Sequence, residues 1–125
     1  MKKSNEAAQK AYDEIILKER GMLDEVSKRH NQPKVLMLKV PLNDAYSDFI
    51  YGFIKYPERE DVSIAMTLQN TDPLKGKQIV LENNWLEGDR RMIDDTELFL
   101  SACTALDEVL AIRQSIVKKN YQSGL

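Results

Sequence analysis

The feature that most constrains the fold is a change of hydrophobic period at Pro57. Upstream of it, residues 48–56 alternate, with Phe49, Tyr51 and Phe53 on one side and Ile50, Ile54 and Tyr56 on the other. That period of two belongs to a β-strand. Downstream, Val62, Ala65, Met66 and Gln69 recur at the three- and four-residue steps of a helix. A chain that switches period in this way, with helical patterns on both flanks, is expected to be α+β. Both faces of the 48–56 strand are apolar, so at least one is expected to meet another element or another chain.

The other segments fill in the same class. VLMLKV at 35–40 is a second strand candidate. The turn-rich stretch 42–48 makes an antiparallel hairpin the simplest pairing. Gly52 is expected to mark a bulge or a close backbone approach. Residues 4–29 carry an apolar stripe of Ala8, Ala11, Tyr12, Ile15, Ile16, Met22, Leu23 and Val26. Ser4 is its expected N-cap, Asn31-Gln32-Pro33 its end, and Gly21 a point where it splits or frays.

After Pro57, Glu58, Glu60 and Asp61 sit in the first turn of a short helix, favouring the positive end of its dipole. Asp72-Pro73 opens the next helix as N-cap and first-turn proline. In that helix Trp85 is placed in the last turn and Gly88 at the position just past the end. Asp94 to Glu97 has capping-box spacing. It precedes a stripe of Phe99, Ala102, Cys103, Leu106, Val109, Leu110, Ile116 and Val117, interrupted at Arg113 and expected to fray from Tyr121. The expected architecture is an N-terminal amphipathic helix (1–30), able to serve as a partner-binding or self-association arm. It is followed by a single small α+β domain (31–125) with one β-hairpin, two short helices and a long C-terminal helix.

Charge and composition narrow the function. The net charge is −2 over 125 residues. Residues 58–97 hold five basic residues against ten acidic ones, a local charge of −5, which would repel phosphates and argues against nucleic-acid binding. Lys2, Lys3, Lys10, Lys18, Lys28 and Arg29 are nearly cancelled by six acids in the first thirty residues. No apolar run reaches the roughly 18 residues of a membrane span and no signal-peptide core follows Met1, so a soluble, cytoplasmic protein is expected.

Catalytic chemistry finds little footing. One cysteine and one histidine cannot assemble a zinc site alone. Cys103 lies on the apolar stripe and reads as a core thiol, while His30 reads as a solvated cation at a helix end. The carboxylates at 58–61 and 94–97 are explained as first-turn acids. LKGKQ (74–78) lacks the glycine spacing, hydroxyl residue and preceding strand of a phosphate loop. The expectation is no catalytic residue, no cofactor and no metal.

Residues 50–110 resemble the small tail assembly chaperones of tailed bacteriophages and related contractile particles. The likeness runs from a strand into Tyr56-Pro57-Glu58-Arg59, through Ala65-Met66 and Asp72-Pro73-Leu74, to Leu81-Glu82-Asn83-Asn84-Trp85-Leu86-Glu87-Gly88-Asp89, an acidic cap and a long helix. It implies a non-enzymatic protein that coats a long, helical tape-measure protein in the host cytoplasm before the tail tube assembles. The N-terminal helix lies outside the matched region. Partner contacts are expected from Ile15 and Leu23 on that helix, and from Tyr51, Phe53, Tyr56 and Trp85 around the hairpin, with homo-oligomerisation as a further expectation. The alternatives are a small structural or connector subunit of the particle, or a phage-encoded inhibitor or ligand-binding protein with a pocket beside Trp85, Tyr51 and Tyr56.

Overall fold

A computed structural model describes the backbone of residues 2–123 and the side chains of residues 5–110. In chain order the elements are α1 (Lys2–His30), β1 (Val35–Pro41), β2 (Phe49–Lys55), α2 (Arg59–Leu68), α3 (Pro73–Asn84), β3 (Trp85–Gly88), α4 (Arg91–Asp94) and α5 (Thr96–Ser123). The strands form one antiparallel sheet in the order β1-β2-β3. The α+β class, the N-terminal helix, the hairpin and the C-terminal helix follow the sequence reading. The side chains of Arg113, Ile116, Val117 and Tyr121 lie outside the described residues.

The two apolar faces of β2 are both used, by different partners. The hairpin pairs Leu36 with Ile54, Leu38 with Gly52 and Val40 with Ile50. This even-numbered face carries the main core, where Leu38, Val40, Ile50 and Ile54 pack with Val80, Leu81, Met92, Ala102, Leu106 and Leu110 of α3, α4 and α5. The odd-numbered face, with Met37 opposite Phe53 and Lys39 opposite Tyr51, is covered by the second half of α1. Phe53 and Val26 are both buried, and α1 contacts β1 and β3. Two helical layers therefore enclose the sheet.

Four sequence expectations differ from the structure. Helix α1 starts at Lys2, so Ser4 is inside it rather than its cap. It also runs unbroken through Gly21, whose missing side chain faces open space and disturbs no packing. Trp85 does not end α3. It takes extended geometry at the helix C-cap and begins β3, and Gly88 ends that strand. Pairing with β2 satisfies backbone groups that one more helical turn would otherwise have taken. The acidic cap shifts by one residue, because Asp94 closes α4 and it is Asp95 Oδ1 that accepts from Leu98 N at 3.0 Å. Elsewhere the punctuation reads as written. Asp72 accepts from Lys75 N at 3.2 Å ahead of Pro73. Asn31 takes φ 52° and closes α1, with Gln32 N bonding Ser27 O and Asn31 N bonding Lys28 O, the Schellman pattern.

Candidate functional site: the two halves of α1

The second half of α1 is clamped to the sheet by a charged group at each end. Glu19 Oε2 accepts from Lys39 Nζ of β1 at 2.8 Å and from the Tyr51 hydroxyl of β2 at 3.0 Å. Lys39 Nζ also stands 4.4 Å from the centre of the Phe49 ring, a cation–π distance. Burial, then the bond to Glu19, pushes the Tyr51 phenol above its ordinary range. At the far end Glu87 of β3 is ion-paired with Arg29, whose Nε donates to it at 3.2 Å, and His30 Nε2 lies 3.6 Å away. The Arg29 hydrogen bonds hold the Glu87 carboxyl below its usual range, against a smaller opposing effect of burial. His30, expected as a solvated cation, is thus half-buried against a carboxylate.

A bulge puts Glu87 within reach. Trp85 pairs with Ile54 and Glu87 with the adjacent Phe53, so one extra residue is accommodated on β3. The extra residue turns Trp85 to the core face and Glu87 to the α1 face, although in a regular strand both would point the same way. Trp85 then lies over Gly52, where an added Cβ would come within 2.8 Å of the indole and 2.7 Å of Met92 Sδ. The opposite residue of the pair is Gly88. Gly52 is therefore both a close approach and next to a bulge.

The first half of α1 has no such cover among the described residues. The seam Ala8, Tyr12, Ile15, Glu19, Met22, Val26 advances by four, three, four, three and four residues, so it stays on one side of the helix. Val26 is 1% exposed, whereas Tyr12 and Ile15 are 60% and 45% exposed. The same stripe that docks on the sheet continues for about three turns with no cover among the described residues. On other sides of the helix, Gln9 donates to Asp13 at 2.9 Å, and Glu6, Lys10, Glu14 and Lys18 follow at steps of four with alternating charge, a pattern that supports a helix without tertiary contacts.

The six residues expected to meet a partner are not gathered in one place. Ile15 lies on the uncovered half of α1, and Leu23 is partly covered on the docked half. Tyr51 and Phe53 lie beneath α1, Trp85 on the opposite face of the sheet, and Tyr56 at a cleft beyond the end of β2. Tyr51 and Trp85 therefore lie on opposite sides of the sheet. The sequence reading missed Glu19, Lys39 and Glu87. Glu19 was the visible signal, a lone carboxylate on an otherwise apolar seam.

The acids considered for catalysis have local tasks. Asp61 Oδ2 accepts from Glu58 N at 2.8 Å at the start of α2, and Asp95 caps α5. Cys103 is buried, and desolvation pushes its thiol up to about 11, which disfavours the reactive thiolate. Among the described residues no group of three or more His, Cys, Asp or Glu is placed to hold a metal ion, and no helix is long and apolar enough to cross a membrane. No family model, curated protein or solved structure matches the chain.

Proposed function

We propose that this chain is a non-enzymatic assembly factor that binds a long helical protein, the role of the phage tail assembly chaperones that residues 50–110 resemble, acting in the host cytoplasm. The observation that carries the reading is the uncovered first half of α1. An apolar seam already used once as a helix-on-sheet interface continues past the domain, on a helix whose outer side is self-supporting. A helical partner laid along Ala8, Tyr12 and Ile15 would bury two large side chains, at about 1.5–3 kcal/mol each when fully covered. Such contacts suit weak, repeated binding along a long partner, where many copies act together.

The test is co-expression of the chain with the long, helix-rich protein encoded near it, followed by affinity capture and sizing. A soluble complex with many copies of this chain per partner is expected. Tyr12→Asp with Ile15→Asp should abolish it while leaving the domain folded. A partner that stays insoluble while this chain elutes alone would overturn the reading. Recovery of the chain in purified particles would instead indicate a structural subunit.

A further inference from the structure

At the end of the hairpin away from the free half of α1, the α1–β1 loop and the β2–α2 loop enclose a cleft of about 380 Å³ lined by Gln32, Pro33, Lys34, Lys55, Tyr56, Pro57, Glu58 and Arg59. Its charge runs against that of the chain. Three cations face one carboxylate, in a protein whose net charge is −2. Elsewhere on the folded body Arg29, Lys39, Lys77 and Arg91 have carboxylate partners, while Arg20, Lys28, Lys75 and Arg90 form no ion pair among the described residues but lie outside this cleft. Lys34, Lys55 and Arg59 have no ion-pair partner among the described residues, and all three line this one cleft. Glu58 is the N-cap of α2, and its backbone N–H is taken by Asp61.

Lys34, Lys55 and Arg59 line one cleft with Glu58 as its single carboxylate, and a bound anion would relieve the repulsion among such like charges. The walls that hold them have little freedom. Pro33 and Pro57 fix their own φ and restrict Gln32 and Tyr56 before them. Lys55 sits at the end of the central strand, and Arg59 opens α2. The arginine fork and two point-charge amines suit a multivalent oxyanion, and the volume falls at the small end of the range for compact ligands.

We propose that this cleft binds a compact oxyanion carrying two or more negative charges, a phosphate ester or a polycarboxylate, through Lys34, Lys55 and Arg59. This site is separate from the α1 surface and does not depend on the assembly reading. The experiment is titration of the full chain with inorganic pyrophosphate and, separately, with citrate. Ionic strength is held constant with sodium chloride, and binding is followed by amide chemical shifts and calorimetry. Saturable shifts centred on Lys34, Lys55 and Arg59 are expected. The Lys55→Gln, Arg59→Gln double variant should weaken binding by about tenfold or more, the effect of losing charge-assisted contacts, while Lys75→Gln on α3 leaves it unchanged. Binding of pyrophosphate alone would assign the site to phosphates, and binding of both probes to oxyanions at large. Shifts that do not saturate, or equal weakening by Lys75→Gln, would overturn the proposal.

Discussion

Gly88 is the position at which one methyl group should do the most damage. It ends β3 with φ +133° and sits opposite Gly52 of the central strand. A Cβ there would lie 2.5 Å from the Tyr51 carbonyl oxygen and 2.7 Å from Gly52 Cα. Both are main-chain atoms, so no side chain can rotate away. Forcing an L-residue into that backbone region costs about 1–3 kcal/mol, and overpacking adds about 1–3 kcal/mol. If the strands separate to relieve the clash, the 2.9 Å bond from Asp89 N to Tyr51 O is lost too, at about 1 kcal/mol. Strain and overpacking together come to roughly 2–6 kcal/mol before that bond is counted, a large share of the 5–15 kcal/mol typical of a domain. Urea unfolding followed by fluorescence of Trp85, the lone tryptophan, reads this strand pair directly. With a slope of about 2 kcal/mol per molar, the middle of the usual urea range, Gly88→Ala should lower the midpoint by roughly 1–3 M. A midpoint within about 0.3 M of the parent would refute the close pairing of β2 with β3.

Other substitutions test the remaining layers. Gly52→Ala meets Met92 Sδ at 2.7 Å and the Trp85 ring at 2.8 Å, side chains rather than backbone. It should cost about 1–3 kcal/mol and shift the Trp85 emission, and an unchanged spectrum would count against the stacking. Gly21→Ala in α1 meets nothing within 4 Å and should stabilise the chain by about 0.5–1 kcal/mol, read as a higher thermal midpoint. The Glu87 carboxyl is held below its ordinary value of 4.5, chiefly by Arg29. A group depressed in the folded state contributes stability above its unfolded pKa and loses it as pH falls through the folded value. Stability measured from pH 6 downwards should therefore fall off below about 4.5, and Glu87→Gln should flatten that part of the profile. An identical profile in the variant would remove Glu87 from the account.

The fold was legible wherever a local rule operated alone. The change of period at Pro57 marked the end of the hairpin, Asp72-Pro73 marked the start of α3, and Asn31 before Gln32-Pro33 marked the end of α1. These signals need only neighbouring residues. Trp85 to Gly88 misled because its spacing from Leu74, Gln78 and Leu81 is helical, while its true state depends on β2, a strand some thirty residues earlier. Non-local pairing overrides local periodicity there. The same limit hid the clamps on α1, since Glu19 with Lys39 and Glu87 with Arg29 are partners only once the helix lies across the sheet. Of the expected contact residues, Ile15 could be placed on an exposed seam. Phe53 could not be told from a surface residue, because both faces of its strand are apolar.

The claim on which the functional reading turns is that α1 has a docked half and a free half, and that the free half is the binding surface. Hydrogen exchange at the α1 amides tests it most directly, measured on the chain alone and again with the long helical partner. The account predicts slow exchange over residues 16–30 in both samples. Over residues 5–15 exchange should be fast in the free chain, where only local helical bonds hold it, and slow in the complex. Equal protection of the two halves in the free chain, or a first half unchanged by the partner, would contradict it.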